Sequence, residues 1–199
     1  NQNFNQAGFR GLCFFDAGAR SFYTKAKAVM TPEDLSGMKI RVQANQTSIA
    51  TVAALGGSPT PIPWGELYTA LQQGVVDGAE NNTPSYLSSR HYEVCPVYSL
   101  DEHTRLPDVL LMSLKKWNSY PEDIQNLIVE VAAETSLYQR ELWQRMTLEA
   151  LAVLEEEGVE IHRPDKKPFM DKVRPMHAHY TGSATGDLIQ AIKNQGASE

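Results

Sequence analysis

Lys39-Ile40-Arg41-Val42-Gln43 alternates polar and apolar residues, and with the segments that follow it decides the fold class. Ile40 and Val42 fall on one face of a strand and Arg41 on the other. Ser48 to Leu55 then reads as a helix stopped by Gly56-Gly57. Pro59-Thr60-Pro61-Ile62-Pro63 is extended, because a residue before proline is pushed out of helical geometry. Glu66 to Gln73 forms a second short helix with Gly74 just past its end, and Val75-Val76 begins another strand. Short strands alternating with short helices predict an α/β fold.

Working outward, Gly11 to Phe15 is a short apolar strand candidate. Thr31-Pro32-Glu33-Asp34-Leu35 reads as a helix start, with Thr as cap, Pro at the first position and acids in the first turn. Downstream, Pro121 to Glu157 carries Ile124, Leu127, Ile128, Val131, Tyr138, Leu142, Met146 and Val153 at helical spacing. Ser119 is the expected cap and Gly158 the stop. Such a helix spans roughly 55 Å at about 1.5 Å per residue. A compact domain of this length has a radius of gyration near ~16 Å, so the helix is expected to bridge two lobes or lie along both.

The sequence has 199 residues, 42% of them hydrophobic and 21% charged, which is enough to bury a core and argues against wholesale disorder. Its net charge of -6 argues against a partner that reads nucleic-acid phosphates. Two cysteines, Cys13 and Cys95, make no disulfide framework, and two ordinary buried thiols are expected. Asn1 to Gln6 has neither the basic nor the apolar region of a secretory leader. A cytosolic protein and one whose leader has been removed both stay open.

Signals for catalysis are weak. Phosphate-binding glycine loops, nucleophile elbows and zinc-binding His-Glu-x-x-His are absent, and no motif implies a cofactor or a metal. His177 and His179 point apart on a helix, and His91 and His103 read as structural. Asp77 reads as a turn residue at Asp77-Gly78. Arg41 is more informative. An Arg among apolar strand neighbours implies either an internal ion pair, an exposed face, or a fork for a ligand carboxylate. The loop after it, Ala44 to Thr47, lies where open α/β sheets place ligands. Arg20 is a second candidate, and Glu80-Asn81-Asn82 leaves its strand at the same edge.

Several motifs then occur in order: Gly18-Ala19-Arg20-Ser21-Phe22, Asp34-Leu35-Ser36-Gly37-Met38-Lys39-Ile40-Arg41-Val42, Gly56-Gly57-Ser58-Pro59-Thr60-Pro61, and the run Glu66 to Asn81 containing Gln72-Gln73-Gly74-Val75-Val76-Asp77-Gly78-Ala79-Glu80-Asn81. Arg90-His91-Tyr92-Glu93-Val94 and Glu141-Leu142-Trp143 fit the same pattern. From about Gly8 to about Tyr180 the sequence resembles the DctP-type substrate-binding proteins of TRAP transporters.

The resemblance implies a two-lobed periplasmic receptor, monomeric when intact, that closes on a small organic acid and serves membrane permease subunits without catalysis or a cofactor. It implies that Arg41 forms the main salt bridge to the ligand carboxylate, with Arg20 and Asn81 assisting and Asn82 beside them. It implies that Trp64 lines the cleft and that Gln43 and Asn45 sit where selectivity contacts vary. Tyr98-Ser99-Leu100-Asp101-Glu102-His103 and Asn81-Asn82 resemble members that bind hexuronates. A C4-dicarboxylate or another hydroxy acid, and a sensory rather than transport role, are the alternatives. An enzyme using Glu80, His103 or Asp77 is a distant one.

Family members of roughly 300 residues have room for two full lobes. About the amino-terminal third of such a protein is expected to be missing here. Residues 1–18 and 107–146 would be the remnant of lobe I with the hinge strands and long helix, and 19–106 with 147–199 would form lobe II. The remnant is expected to expose apolar side chains.

Overall fold

The structure, a computed structural model, describes residues 1–196. A short helix α1 (Gln2–Gln6) leads into the long strand β1 (Phe9–Thr24). Then come β2 (Lys39–Val42), α2 (Gln46–Leu55), β3 (Ser58–Pro61), α3 (Leu67–Gln73), β4 (Gly78–Asn81) and α4 (Thr83–Ser88). A second long strand, β5 (Val97–Ser113), is followed by α5 (Leu114–Trp117), α6 (Glu122–Glu156), β6 (Glu160–His162), α7 (Lys167–Ala178) and α8 (Ala184–Gly196). The strands form one mixed sheet in the order β3-β2-β4-β1-β5-β6. The α/β class read from the sequence is the class observed.

Strand alternation divides the core between the two sheet faces. Phe22, Ile40 and Val42 face α2 and α7, packing with Val52, Leu55 and Phe169. Tyr23 and Ala79 face the other way, packing with Leu67, Leu71, Tyr86, Tyr98 and Leu154. The expected helix over Thr31 to Leu35 is a single 3-10 turn at Pro32–Leu35. The Asp34 carboxylate closes it by accepting from the backbone N–H groups of Met30 and Thr31.

Three expectations need correction. The strand placed at Val75-Val76 starts at Gly78. The Val75 N–H is spent on Ala70 O at the end of α3, and Asp77 is tied sideways to β2, donating to Lys39 O and accepting from Lys39 N, each at 2.8 Å. Ser119 does not cap the long helix: its hydroxyl donates to Lys116 O, Pro121 takes the cap position, and Glu122 and Asp123 supply negative charge to the first turn. The strand candidate Gly11 to Phe15 lies in the first half of a 16-residue strand. Both cysteines are free thiols, Cys95 buried and Cys13 only half-buried.

β1 and β5 pair antiparallel from Phe9↔Ser113 to Thr24↔Val97, with register shifts between Asp16 and Ala19 and between Arg20 and Phe22. At the first shift Gly18 has φ +74°, and in β5 Glu102 has φ +49°. The 35-residue α6, about 52 Å long at ~1.5 Å per residue, lies along this pair. Successive turns of one helix face hold β1. Ser136 Oγ donates to Phe14 O at 2.6 Å, Gln139 accepts from Asp16 N and donates to Asp16 O at 2.8 Å each, and Trp143 packs on Gly18. Further along, Ala150 and Leu154 are buried, Leu154 against the Tyr23 side of the sheet.

The segment 1–18 with 107–146 is apolar on the outside: Phe9, Phe14, Leu110, Leu111, Leu127, Val131, Leu137 and Tyr138 are all exposed. That agrees with the exposure expected of these residues.

A Cβ on Gly18 would lie 2.8 Å from Trp143 Nε1, in a backbone region that costs an L-residue roughly 1–2 kcal/mol before any clash. Gly18→Ala is therefore expected to lower the melting temperature by several degrees in a thermal melt. An unchanged melting temperature would show that α6 does not clamp β1 at this point.

Candidate functional site

Two buried arginines define the site, and they meet different fates. Alternation puts Arg41 on the face of Tyr23 and Ala79, and Arg20 on the face of Phe22 and Glu80.

Arg20 is neutralised within the chain. Its guanidinium forms an ion pair with Glu80 through Nε and Nη2, and Nη2 also donates to Glu80 O at 2.9 Å. Nη1 donates to Asn81 Oδ1 at 2.8 Å. Burial opposes the charge on Arg20, but the Glu80 carboxylate outweighs it and its pKa is raised. Glu80 is shared with His103, whose Nε2 lies 3.8 Å from Glu80 Oε2 and whose Nδ1 is 2.7 Å from Asp101 Oδ2. His103 stacks on Phe22 at a centroid distance of 4.2 Å, and Asp101 accepts from Phe22 N at 3.1 Å. The four side chains form a closed, buried polar cluster in which each charge is answered.

Arg41 is treated otherwise. It is 3% exposed, yet its one hydrogen bond in the described chain runs from Nε to Ile62 O at 2.9 Å. A guanidinium carries five N–H donors, so both Nη groups are left without an acceptor among the described residues. No carboxylate pairs with it there either. Burial lowers its pKa from the ordinary value, but a guanidinium in a protein stays charged. Its carbon lies 5.7 Å from the centroid of the Trp64 ring, within cation–π range. Trp64 heads the 3-10 turn Trp64–Glu66 after Pro63 and is 48% exposed, unusual for so large an apolar ring. The Nη atoms are not among the fully enclosed polar atoms that lack a partner, so they reach solvent and are open to water or another acceptor.

The remaining expected site residues divide by the bonds they already make. Asn81 is buried at the end of β4; its Oδ1 accepts from both Arg20 and Asn82 N, leaving Nδ2 without an acceptor among the described residues. Asn82 is engaged at both ends, its Oδ1 capping α4 at Ser85 N and its Nδ2 donating to Ala17 O. Asn45 caps α2 through Ser48 N at 2.8 Å, and Gln43 is exposed beside it. The structure thus brings Arg41, Trp64 and the strand ends of β2 and β4 to one edge of the sheet. It gives Arg20, Asn82 and Asn45 internal work. A half-open cavity of about 380 Å³ lies between the Gly18 kink and α6, lined by Ser21, Asn82, Glu102 and Trp143; Arg41 and Trp64 do not line it.

Sequence reasoning missed Glu80 as the partner of Arg20. The one available signal was an acid inside the buried strand Gly78–Asn81, opposite a strand carrying an Arg. It also missed that His103 is charged. Burial alone would lower its pKa, but Asp101 and Glu80 raise it to about 9. A histidine whose folded pKa lies above its unfolded value of ~6.5 contributes stability that is complete below that value and is lost as pH rises through about 9. The shift corresponds to on the order of 3 kcal/mol. Thermal melts should therefore fall between pH 6.5 and 9.5, and His103→Gln should remove most of that slope. An identical slope in the variant would mean that His103 is not the titrating group.

Comparison with known proteins places this geometry. Residues 1–183 match the family model described as bacterial extracellular solute-binding protein, family 7, DctP. An uncharacterized protein of Salmonella typhimurium is 41% identical over 172 residues, covering 85% of this chain and 52% of its own length. The TRAP periplasmic solute-binding protein of Roseobacter denitrificans, solved with bound β-D-glucuronate, is 39% identical with a TM-score of 0.85, covering 90% of this chain and 60% of that one. The corresponding protein of Xanthobacter autotrophicus, solved with bound β-D-galacturonate, is 38% identical with a TM-score of 0.89, over 97% and 65% respectively. The chain spans about half the length of the curated relatives it matches. With the family model covering residues 1–183 and the fold shared with these receptors, the chain belongs to the DctP family of bacterial extracellular solute-binding proteins.

Proposed function

We propose that this chain is the carboxylate-grasping part of a periplasmic receptor of a TRAP transporter. It binds a hexuronate, closes on it about the β1/β5 pair, and presents it to the membrane permease without altering it. The Arg41 guanidinium takes the ligand carboxylate through its two Nη groups. Trp64 packs against the apolar face of the sugar ring, and Asn81 Nδ2 donates to the carboxylate or a neighbouring hydroxyl. Arg20 supports this edge by holding Asn81 and Glu80, with Asn82, Gln43 and Asn45 at the rim.

The observation that carries the reading is a largely buried Arg41 with four N–H donors that meet no acceptor among the described residues, beside a half-exposed indole. A planar fork of donors fits a carboxylate bidentately, and a flat aromatic face fits the C–H face of a pyranose. The uronates bound in the solved relatives carry both groups. Residues 1–18 and 107–146 belong in this reading to the first lobe and its hinge, and 19–106 with 147–199 to the second. Of the latter, 197–199 lie outside the described residues.

Titration calorimetry of the natural protein with D-glucuronate tests the clamp. Removing one partner of a buried charge pair costs about 2–5 kcal/mol, so Arg41→Ala should weaken binding by roughly 30-fold to several thousand-fold. Arg41→Lys, which keeps the charge but loses the fork, should also bind more weakly than the unaltered protein. Unchanged affinity in Arg41→Ala would overturn the assignment. Succinate and other C4-dicarboxylates binding more tightly than uronates would replace the substrate class.

A further inference from the structure

Behind Trp64 lies a histidine that none of the roles above uses. His91 is 2% exposed and sits in the 3-10 turn His91–Glu93. Its ring centroid is 5.1 Å from that of Trp64, tilted by 55°, and 6.3 Å from that of Tyr68. Nδ1 is 2.8 Å from the hydroxyl of Tyr23, a fully buried phenol on β1. The backbone is set to deliver it there. Arg90, the residue before, is a non-glycine in the left-handed region with φ +57°. The Arg90 side chain is tied to Glu93, which also accepts from Tyr68 Oη at 2.8 Å. A strained residue held by a local ion pair, followed by a buried imidazole under an exposed indole, is more structure than a loop needs.

We infer that His91 is a positioning residue for ligand recognition: it is the shelf that holds the indole of Trp64 beside the Arg41 cation, where the incoming ring would pack. The inference rests on the hexuronate reading for its ligand and on the contacts above for its geometry. The Tyr23 bond fixes the imidazole plane, and the imidazole edge in turn limits where the indole settles. The Arg41 guanidinium carbon lies 5.7 Å from the centroid of that indole. An indole half in water and without this backing would sample several rotamers, and ordering it would then be charged against binding. Histidine also answers the Tyr23 hydroxyl, which a plain aromatic ring would leave without a partner. The imidazole stays neutral in this setting: burial and the nearby Arg41 charge lower its pKa to about 4. A neutral shelf adds no second positive charge beside Arg41.

A double-mutant cycle in the natural protein tests this, with D-glucuronate as the probe. His91→Leu, which fills the volume without a flat polar ring, should weaken binding by about 5- to 10-fold. In a Trp64→Ala background the same change should cost less than about 2-fold, because the shelf then holds nothing. His91→Phe, which keeps a flat ring but loses the Tyr23 bond that sets its plane, should recover only part of the loss. Equal losses from His91→Leu with and without Trp64 would show a merely structural residue and overturn the inference. A second readout needs no ligand. With 5-fluorotryptophan incorporated, and Trp64→Phe used for assignment, His91→Leu should shift or broaden the Trp64 fluorine resonance and leave those of Trp117 and Trp143 in place. A Trp64 resonance unmoved by His91→Leu overturns the inference whatever the ligand. A moved resonance together with no D-glucuronate binding by the unaltered protein supports the shelf and refutes the hexuronate reading.

Discussion

The organisation of this chain turns on an unequal treatment of two buried cations. A guanidinium taken out of water demands compensation. Arg20 receives it in full from Glu80 and Asn81, and that pairing joins β1 to β4 in the middle of the sheet. Arg41, one strand further along and on the other face, receives a single carbonyl. The first arrangement makes the second tolerable. Glu80 is held by Arg20 and His103, and among the described residues no carboxylate pairs with Arg41, so its Nη donors stay available. The same pairing orients the oxygen of Asn81 toward Arg20, so the amide end is what remains for another partner.

The long β1/β5 pair gives this edge its setting. Its two strands run 16 and 17 residues; two of the three register shifts fall on either side of Arg20, between Asp16 and Ala19 and between Arg20 and Phe22, with Gly18 left-handed on β1 and Glu102 left-handed on β5. α6 holds the pair on one side of that kink through Ser136 and Gln139 and packs Trp143 onto Gly18. Beyond the kink the same strands enter the main core through Phe22, Tyr23 and Tyr98. In the proposed reading the site, at the carboxyl ends of β2 and β4, lies near this irregular stretch, as closure about a hinge there would require.

Much of this was legible in the residues. The alternation of Lys39 to Gln43 gave the faces of β2, and Gly56 and Gly74 marked helix ends where the left-handed cap is indeed found. The long helix was readable because its apolar spacing runs without Pro or Gly. The long strands were not readable. Gly18 interrupts the pattern of β1, and Pro107 argues against a strand at all. Pro107 is tolerated because β6 pairs with β5 only from Val97 to Ser99, so β5 is an edge where the proline lies. Arg41 and Trp64 were singled out by type and position, yet nothing in the spacing could say that Arg20 is spent on Glu80. Nor could spacing show that His91 lies under Trp64, since both facts depend on strand order. Strand order is a long-range property that one sequence without its relatives states poorly.

In the proposed reading the ligand carboxylate sits on the Nη groups of Arg41 that meet no acceptor among the described residues. A crystal structure of the natural protein with D-glucuronate should then show the carboxylate within hydrogen-bonding distance of both Arg41 Nη atoms, with the Arg20–Glu80 pair intact and the sugar ring over Trp64. A carboxylate seated on Arg20, with Glu80 displaced and Arg41 untouched, would contradict it.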